Sequence, residues 1–531
     1  HASFVGTLQT TTEIDGNLTI TAGEFNTHAL GQQLTVTGTT TVSNGTLTLN
    51  GSTCIFNTGA TAGGLITDHT SAVVVADADS TCTFGSIALH SSGCDVRLAG
   101  TNTINKYLAS TDIIIHAMNN TVDAASAFTI TTPDDKGLAV QDTSVTLTLT
   151  SGGSAAAYKL EDSMNVAALT INTNASLTTL DSGANRNLTV TGATSVTGTL
   201  TCNDSTVSLG SGLTSAYGLT VNTNGTFAGG SGSHTIGSIK VSNSAAAVCT
   251  LSTSTTVINS ENDSDNRNIN LAGTDSVFTS NGVCTMTFAG ATRAYRLGGT
   301  LTFGGTLKIN NASLAFTAAG PIQAATLTIT AGTFDTGSDQ ALTVTGRIDI
   351  ASGGTLTCNS SAVSSAGGVT VTGTLNAPDA SGSLTISGEY SNRAIDVVGT
   401  FNNNDGTITI TYAGQSQIRW PSSSNPHSLV INHASADIRL AGNMDTAGSR
   451  EFEGNVTITA GILSTLDVDG SQNHNLTVTG NASVTGTLTG NASAISLGSL
   501  EIASGGTYSA TSGTTTLTTA GASGTRSFYN N

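Results

Sequence analysis

The phrase Leu-Thr-Val-Thr-Gly stands at Leu34 to Gly38, Leu188 to Gly192, Leu342 to Gly346 and Leu476 to Gly480, at intervals of 154, 154 and 134 residues. Recurrence at a near-fixed interval constrains the fold more than any local motif does, because a unit too small to bury its own apolar face must stack on a copy of itself. The phrase sits within longer echoes. Asn17-Leu-Thr-Ile-Thr-Ala-Gly23, Thr326-Leu-Thr-Ile-Thr-Ala-Gly332 and Asn455-Val-Thr-Ile-Thr-Ala-Gly461 precede three copies, and Leu169-Thr-Ile171 holds that place before the fourth. After the phrase come Asn44-Gly-Thr-Leu-Thr-Leu-Asn50, Thr197-Gly-Thr-Leu-Thr-Cys-Asn203, Gly353-Gly-Thr-Leu-Thr-Cys-Asn359 and Thr485-Gly-Thr-Leu-Thr-Gly-Asn491. A second set of landmarks, Ala157-Tyr-Lys-Leu160, Ala294-Tyr-Arg-Leu297 and Gln417-Ile-Arg-Trp420, recurs on the same scale. The pattern predicts one continuous chain of about three and a half long repeats, approximately 17–167, 168–325, 326–454 and 455–531.

Within each repeat the texture is that of strands. Leu34-Thr-Val36, Leu47-Thr-Leu49, Val145-Thr-Leu-Thr-Leu149 and Thr407-Ile-Thr-Ile-Thr411 alternate apolar residues with Thr, which places one face in a core and the other in water. Gly, Asn, Asp and Ser interrupt these stretches and supply turns. No segment carries a helical period, and the Ala-rich piece from Ala124 to Ile130 is short and runs into β-branched residues.

Charged residues make up 9% and aromatics 4% of the chain, so a thick aromatic sandwich core is poorly supplied. A narrow core of Leu, Ile, Val, Ala and Thr suits an all-β, elongated parallel β-helix, a β-solenoid in which each coil packs on the next. In that texture the chain resembles the right-handed parallel β-helices of bacterial filamentous adhesins, autotransporter passenger domains and phage fibres. The alternative is a row of tandem β-sandwich domains. Against it stand only five prolines and no Pro-rich or charged linker near the repeat boundaries.

Sixteen basic against 34 acidic residues give a net charge of −18, which disfavours nucleic acid as a partner. No run of about 20 apolar residues offers a membrane span. Such a surface is expected outside the cell, or on a virion. The chain starts at His1 without Met, so it is read as processed or as a segment of something longer. It closes on the strand-like Arg526-Ser-Phe-Tyr-Asn-Asn531, after which either further sequence follows or coils meet a neighbouring copy end to end.

Chemistry-bearing clusters are sparse. The oxygen-rich turn containing Asp467, Asp469 and Asn473 and the stretch containing Glu261, Asp263 and Asp265 are the calcium candidates; both lack a distal bidentate Glu. Asp181, Asp335 and Asp469 lie seven residues before the Leu of the repeated phrase, where the first copy has Thr27. Seven cysteines form an odd set: Cys202 and Cys358 hold the repeat position of Leu49 and are expected to be buried, while Cys82 and Cys94 can meet across a turn. Asp134-Asp135-Lys136 and Lys159-Leu-Glu-Asp162 are the nearest approach to a glycosidase carboxylate pair, and neither recurs. Trp420 occupies the position of Leu160 and Leu297 and is expected in the core, which leaves few exposed aromatics for a sugar platform. Of fifteen Asn-x-Ser/Thr sequons, Asn17, Asn174, Asn187, Asn311, Asn455, Asn475 and Asn491 are the glycosylation candidates.

These readings converge on a non-enzymatic structural or adhesive element of an extracellular filament, with no cofactor beyond calcium at those turns. Its expected partners are further copies of the chain and surface glycans. A phage tail fibre or tailspike binding host glycans is the first alternative; a polysaccharide-degrading β-helix enzyme, which requires a carboxylate cluster in one groove, is the second.

Overall fold

The computed structural model describes residues 4–531 apart from 28–30, 58–63, 70, 78, 86, 90–94, 99, 105–112, 116–125, 132–135, 151–154, 161–162, 182, 263, 265, 297–298, 422–423, 443–449, 519–527 and 531. The described residues are all-β, without helix, and form a parallel β-solenoid of about 19 turns. Two compact units divide the chain, His1–Phe278 and Thr279–Asn531.

In the first coils of the first unit each turn contributes three short strands, one to each of three parallel sheets, while Met164–Ile171 runs on through a corner to pair with both Leu188–Val190 and Thr194–Val196. Thr12–Ile14, Leu34–Val36, Thr53–Phe56 and Thr81–Phe84 follow one another in the first sheet. Leu18–Ile20, Thr40–Val42 and Leu65–Thr67 build the second, and Val5–Thr7, Gly23–Asn26, Gly45–Leu49 and Val73–Ala76 the third. The scheme continues through Leu188–Val190, Val207–Leu209, Ser233–Ile236 and Thr255–Ile258. A small hairpin between Leu180–Asp181 and Ala184–Asn185 is antiparallel.

The second unit repeats the arrangement. Leu342–Val344, Ala362–Ser365, Ser383–Ile386 and Thr407–Ile410 stack in parallel register. Elsewhere in this unit strands run on through the corners, as in Ile348–Thr357, which pairs with both Val369–Val371 and Thr374–Asn376.

The repeated phrase explains itself in this frame. Its Leu and Val point inward and are buried at Leu34, Val36, Leu188, Val190, Leu342, Val344, Leu476 and Val478, while the Thr between them faces outward. The closing Gly is fixed by the preceding coil. A Cβ on Gly192 would lie 2.6 Å from the carbonyl oxygen of Ala167, and one on Gly346 would lie 2.6 Å from that of Ala325. At Gly480 it would meet Asn455 Oδ1 at 2.3 Å. The chain turns out of the strand at this point while still hydrogen-bonded to its neighbour, with Gly192 N–H donating to the Ala167 carbonyl, and no side chain fits between them.

A second recurring device is polar. At one corner a fully buried Thr (Thr27, Thr179, Thr336 or Thr465) meets the Asn-x-Ser of the following coil. Ser52, Ser205 and Ser493 donate to the hydroxyls of Thr27, Thr179 and Thr465 at 2.7, 2.8 and 2.9 Å. The Thr hydroxyls of three copies donate to the carbonyls of Cys202, Cys358 and Gly490 at 2.6, 2.6 and 2.8 Å. Asn203, Asn359 and Asn491 hold left-handed backbone at φ 49, 47 and 48, a conformation Asn tolerates better than most residues. Thr27 is therefore the counterpart of Thr179, Thr336 and Thr465. The shared seven-residue spacing of Asp181, Asp335 and Asp469 does not mark equivalent corners, because the turns between corner and phrase differ in length.

The core follows the predicted economy of aromatics. Phe56 and Phe84 stack at 5.1 Å and 8°, and Phe316 and Phe334 sit at 5.2 Å on neighbouring coils. Trp420 is buried against Phe452, with ring centroids 5.1 Å apart. Replacing Gly346 with Val forces side-chain atoms into the Ala325 carbonyl and is expected to cost roughly 1 to 3 kcal/mol. Chemical denaturation followed by far-UV circular dichroism checks this, with the outward-facing Thr343→Val as the control that leaves the midpoint nearly unchanged.

Candidate ligand groove, acidic turns and sequons

Along the corner turns of the second unit the surface hollows into a polar groove of about 610 Å³. Its walls carry Arg293, Asp335, Gln340, Asn359, Ser360 and Asp379, and Ala318 and Ala319 add an apolar strip. Asp335 ends the strand Ile322–Asp335 and accepts hydrogen bonds from Gly337 N–H at 2.7 Å and from Asn359 Nδ2 at 2.6 Å. Asp379 caps its own turn, accepting from Ser360 Oγ at 2.6 Å and from the Ser381 hydroxyl and N–H at 2.7 and 3.0 Å. These donors, led by the Ser360 hydroxyl, hold the Asp379 carboxyl below the usual carboxylate range. The groove thus presents fixed acceptors beside the exposed Arg293, an arrangement that can hydrogen-bond a hydroxyl-rich ligand.

The calcium candidates are arranged differently. Asp467 Oδ1 accepts N–H groups from Ser471 at 2.8 Å and Gln472 at 3.1 Å, and its Oδ2 accepts the Ser471 hydroxyl at 3.1 Å. Asp469 also accepts from Ser471 N–H at 3.0 Å, and Asn473 Oδ1 accepts from Ala492 N–H at 3.3 Å. The turn consumes its own oxygens. Among the described residues no three His, Cys, Asp or Glu side chains gather as a metal site. Glu261 is half-buried, while Asp263 and Asp265 lie outside the described residues, as do Asp134, Asp135, Glu161, Asp162 and Cys94.

The sequons fall into two physical kinds. Asn17, Asn187, Asn455 and Asn475 are exposed, and each side-chain oxygen accepts a backbone N–H from the next coil: Thr39 at 2.8 Å, Thr206 at 3.2 Å, Asn481 at 2.8 Å and Ala494 at 2.9 Å. That bond leaves the amide nitrogen turned to solvent. Asn174 is likewise exposed, in left-handed backbone. Asn491 instead donates its amide to Ser464 and Thr465 at 3.1 and 3.3 Å, and Asn311 donates to the Thr287 carbonyl at 2.7 Å.

Several buried groups carry charge or can acquire it, and sequence reasoning passed over them because none recurs. Arg450 is fully buried, donating from Nε to the Ala441 carbonyl at 2.9 Å and from Nη1 to that of Trp420 at 3.1 Å. Asp396 bridges Arg393 and the buried Arg419. His234 lies in the first unit, in register with Val207 and Thr256, with Phe227 edge-on at 6.0 Å. Neither ring nitrogen has a hydrogen-bond partner. Burial lowers its pKa to about 4, so the folded chain keeps this ring neutral where the unfolded chain, near 6.5, takes up a proton. Stability is therefore complete above pH 6.5 and declines as pH falls towards 4, by on the order of 3 kcal/mol. Denaturation midpoints measured between pH 7 and 4.5 are expected to fall more steeply for the native chain than for His234→Leu.

No helix of the described residues is long and apolar enough to cross a membrane. No family model matches the chain, and no curated protein or solved structure matches it either.

Proposed function

We propose that the chain is a non-enzymatic structural protein of the cell exterior, a filament subunit that associates with further copies of itself. The observation that carries this reading is that what recurs in the sequence has a use in holding one coil to the next. The Leu and Val of the repeated phrase fill the core, its Gly permits close approach of two coils, and the corner Thr and Asn-x-Ser join them by hydrogen bonds. Parallel strands also suit tensile use, because ladders of this kind are added coil by coil and resist unfolding together.

The acidic, Lys-poor surface fits an exterior setting and keeps copies soluble before assembly. Negative-stain electron microscopy and sedimentation of the purified chain over a rising concentration series are expected to show linear assemblies. Discrete trimers or isolated short rods at every concentration would overturn the filament reading and move the weight to a receptor-binding fibre or a surface-anchored adhesin.

The groove at Arg293, Asp335, Asn359 and Asp379 favours an adhesive use beside the structural one, with neutral surface glycans as the partner. It offers acceptors and the Arg293 donor to sugar hydroxyls, and Ala318 and Ala319 supply an apolar strip for the face of a sugar ring. On an array of defined neutral and acidic oligosaccharides, binding to a neutral glycan is expected to weaken about tenfold in Arg293→Ala and in Asp335→Ala. Binding that survives both substitutions, or an array with no bound glycan, would remove the adhesive role.

A further inference from the structure

We propose that Cys54 and Cys82 form a disulfide site that staples two successive coils of the first unit. Cys54 lies in the strand Thr53–Phe56 and Cys82 in Thr81–Phe84, and the two are direct register partners in the parallel pair. Both side chains are fully buried on the core face as free thiols, and the neighbouring Cys54 thiol is the leading cause that pushes the Cys82 thiol up. Two residues further along the same strands, Phe56 and Phe84 stack with ring planes 8° apart. That stack fixes the register, so neither thiol can slide past the other.

Register brings the two residues within reach of a cross-link. Neighbouring parallel strands are spaced about 4.8 Å apart, within the Cα separation of about 4.4 to 6.8 Å that disulfides span. Parallel Cβ atoms keep roughly that spacing where a disulfide takes about 3.5 to 4.5 Å, so closing the bond needs rotation about χ1 and a small approach of the two coils. No other described cysteine is so placed. The charge of Cys249 helps raise the pKa of Cys202, yet Cys202 follows the strand Thr199–Thr201, whereas Cys249 is in register with Phe227, itself the partner of Leu200. Cys284 hydrogen-bonds Ser280, and Cys358 neighbours Asp335.

Timing follows from burial. The Cys82 thiol is pushed far up by its bond to Cys54 and by desolvation, so the thiolate needed for exchange is scarce once the coils have closed. The bond forms while this segment is still opening and closing. One thiolate attacks glutathione disulfide, forming a mixed disulfide and releasing one reduced glutathione. The second thiolate then displaces the other glutathione, so two cysteine thiols are oxidised, one glutathione disulfide is reduced to two thiols, and the cysteine protons pass to solvent and the leaving thiolates.

The test is a thiol map of the full chain refolded with reduced and oxidised glutathione, alkylated without reduction, digested and analysed by mass spectrometry. The expected result is a peptide pair joining Cys54 to Cys82, with Cys202, Cys249, Cys284 and Cys358 alkylated, and a higher unfolding midpoint than the fully reduced chain. In Cys54→Ala the pair vanishes and Cys82 becomes alkylated. Complete alkylation of both residues, or a peptide joining Cys82 to Cys94, would overturn the proposal. The same map on the protein as isolated, without refolding, gives an independent reading if refolding is incomplete.

Discussion

Everything in these coils depends on the fixed spacing of parallel strands. Backbone hydrogen bonds hold successive coils about 4.8 Å apart, so each residue sits directly above its partner in the neighbouring coil. Like then stacks on like: Leu47 on Val74, Phe56 on Phe84, Cys54 on Cys82, and Asn50 donating its side-chain amide to Asn26 at 2.8 Å. An apolar ladder gains from this, since each side chain covers the next. An amide ladder gains as well, because every Asn is both donor and acceptor. A charged ladder would set like charges together at the same spacing. The scarcity of charge in this chain, 9% of residues, follows from that geometry as much as from any surface role.

Where charge does enter, several groups are paired with an opposite charge close by. Arg347, just before the strand Ile348–Thr357, pairs with Asp349 at 2.9 Å, and Arg439 pairs with Asp437 on its own strand at 2.9 Å. Asp396 answers two arginines, one on its own strand and one on the coil above. Arg450 has no carboxylate and is held by carbonyl oxygens of Ala441 and Trp420, with its guanidinium 6.0 Å from the Trp420 ring centre. Each departs from the repeat, and such departures are where a scaffold of this kind acquires individuality. The groove around Asp335 and Asp379 is another.

Legibility in the sequence followed the same division. The alternation in Leu34-Thr-Val36 and its copies identified inward and outward faces because a strand has only two, and the closing Gly marked a close approach. The corner Thr escaped notice, since Thr179 and Thr465 look like any other Thr in a Thr-rich chain. Counting backwards from the phrase gave Asp181, Asp335 and Asp469 as one family, which the unequal turns contradict. The Cys54 and Cys82 partnership was hidden for a related reason. Cys54 stacks on Leu34 and Cys82 on Cys54 across coils of different length, so no single period brings the two thiols together. Strand faces are local information, whereas partners across coils depend on the length of every turn between them.

The sequons illustrate how the fold can write a motif that resembles a modification signal. At the corner, Asn203-Asp-Ser205 and Asn491-Ala-Ser493 recur because the Asn supplies left-handed backbone and an amide donor, and the Ser supplies a buried hydroxyl to the Thr of the coil before. Selection for stacking alone would preserve both residues at that spacing. Asn17, Asn187, Asn455 and Asn475 are under a different constraint: only the side-chain oxygen is engaged, and the nitrogen that a glycan would occupy faces water. A glycan on the corner Asn would have to displace hydrogen bonds that join two coils, whereas one on the outward set would leave its coil-joining bond in place. The count of sequons in a solenoid therefore says little about modification, and the partner of each amide nitrogen says a great deal.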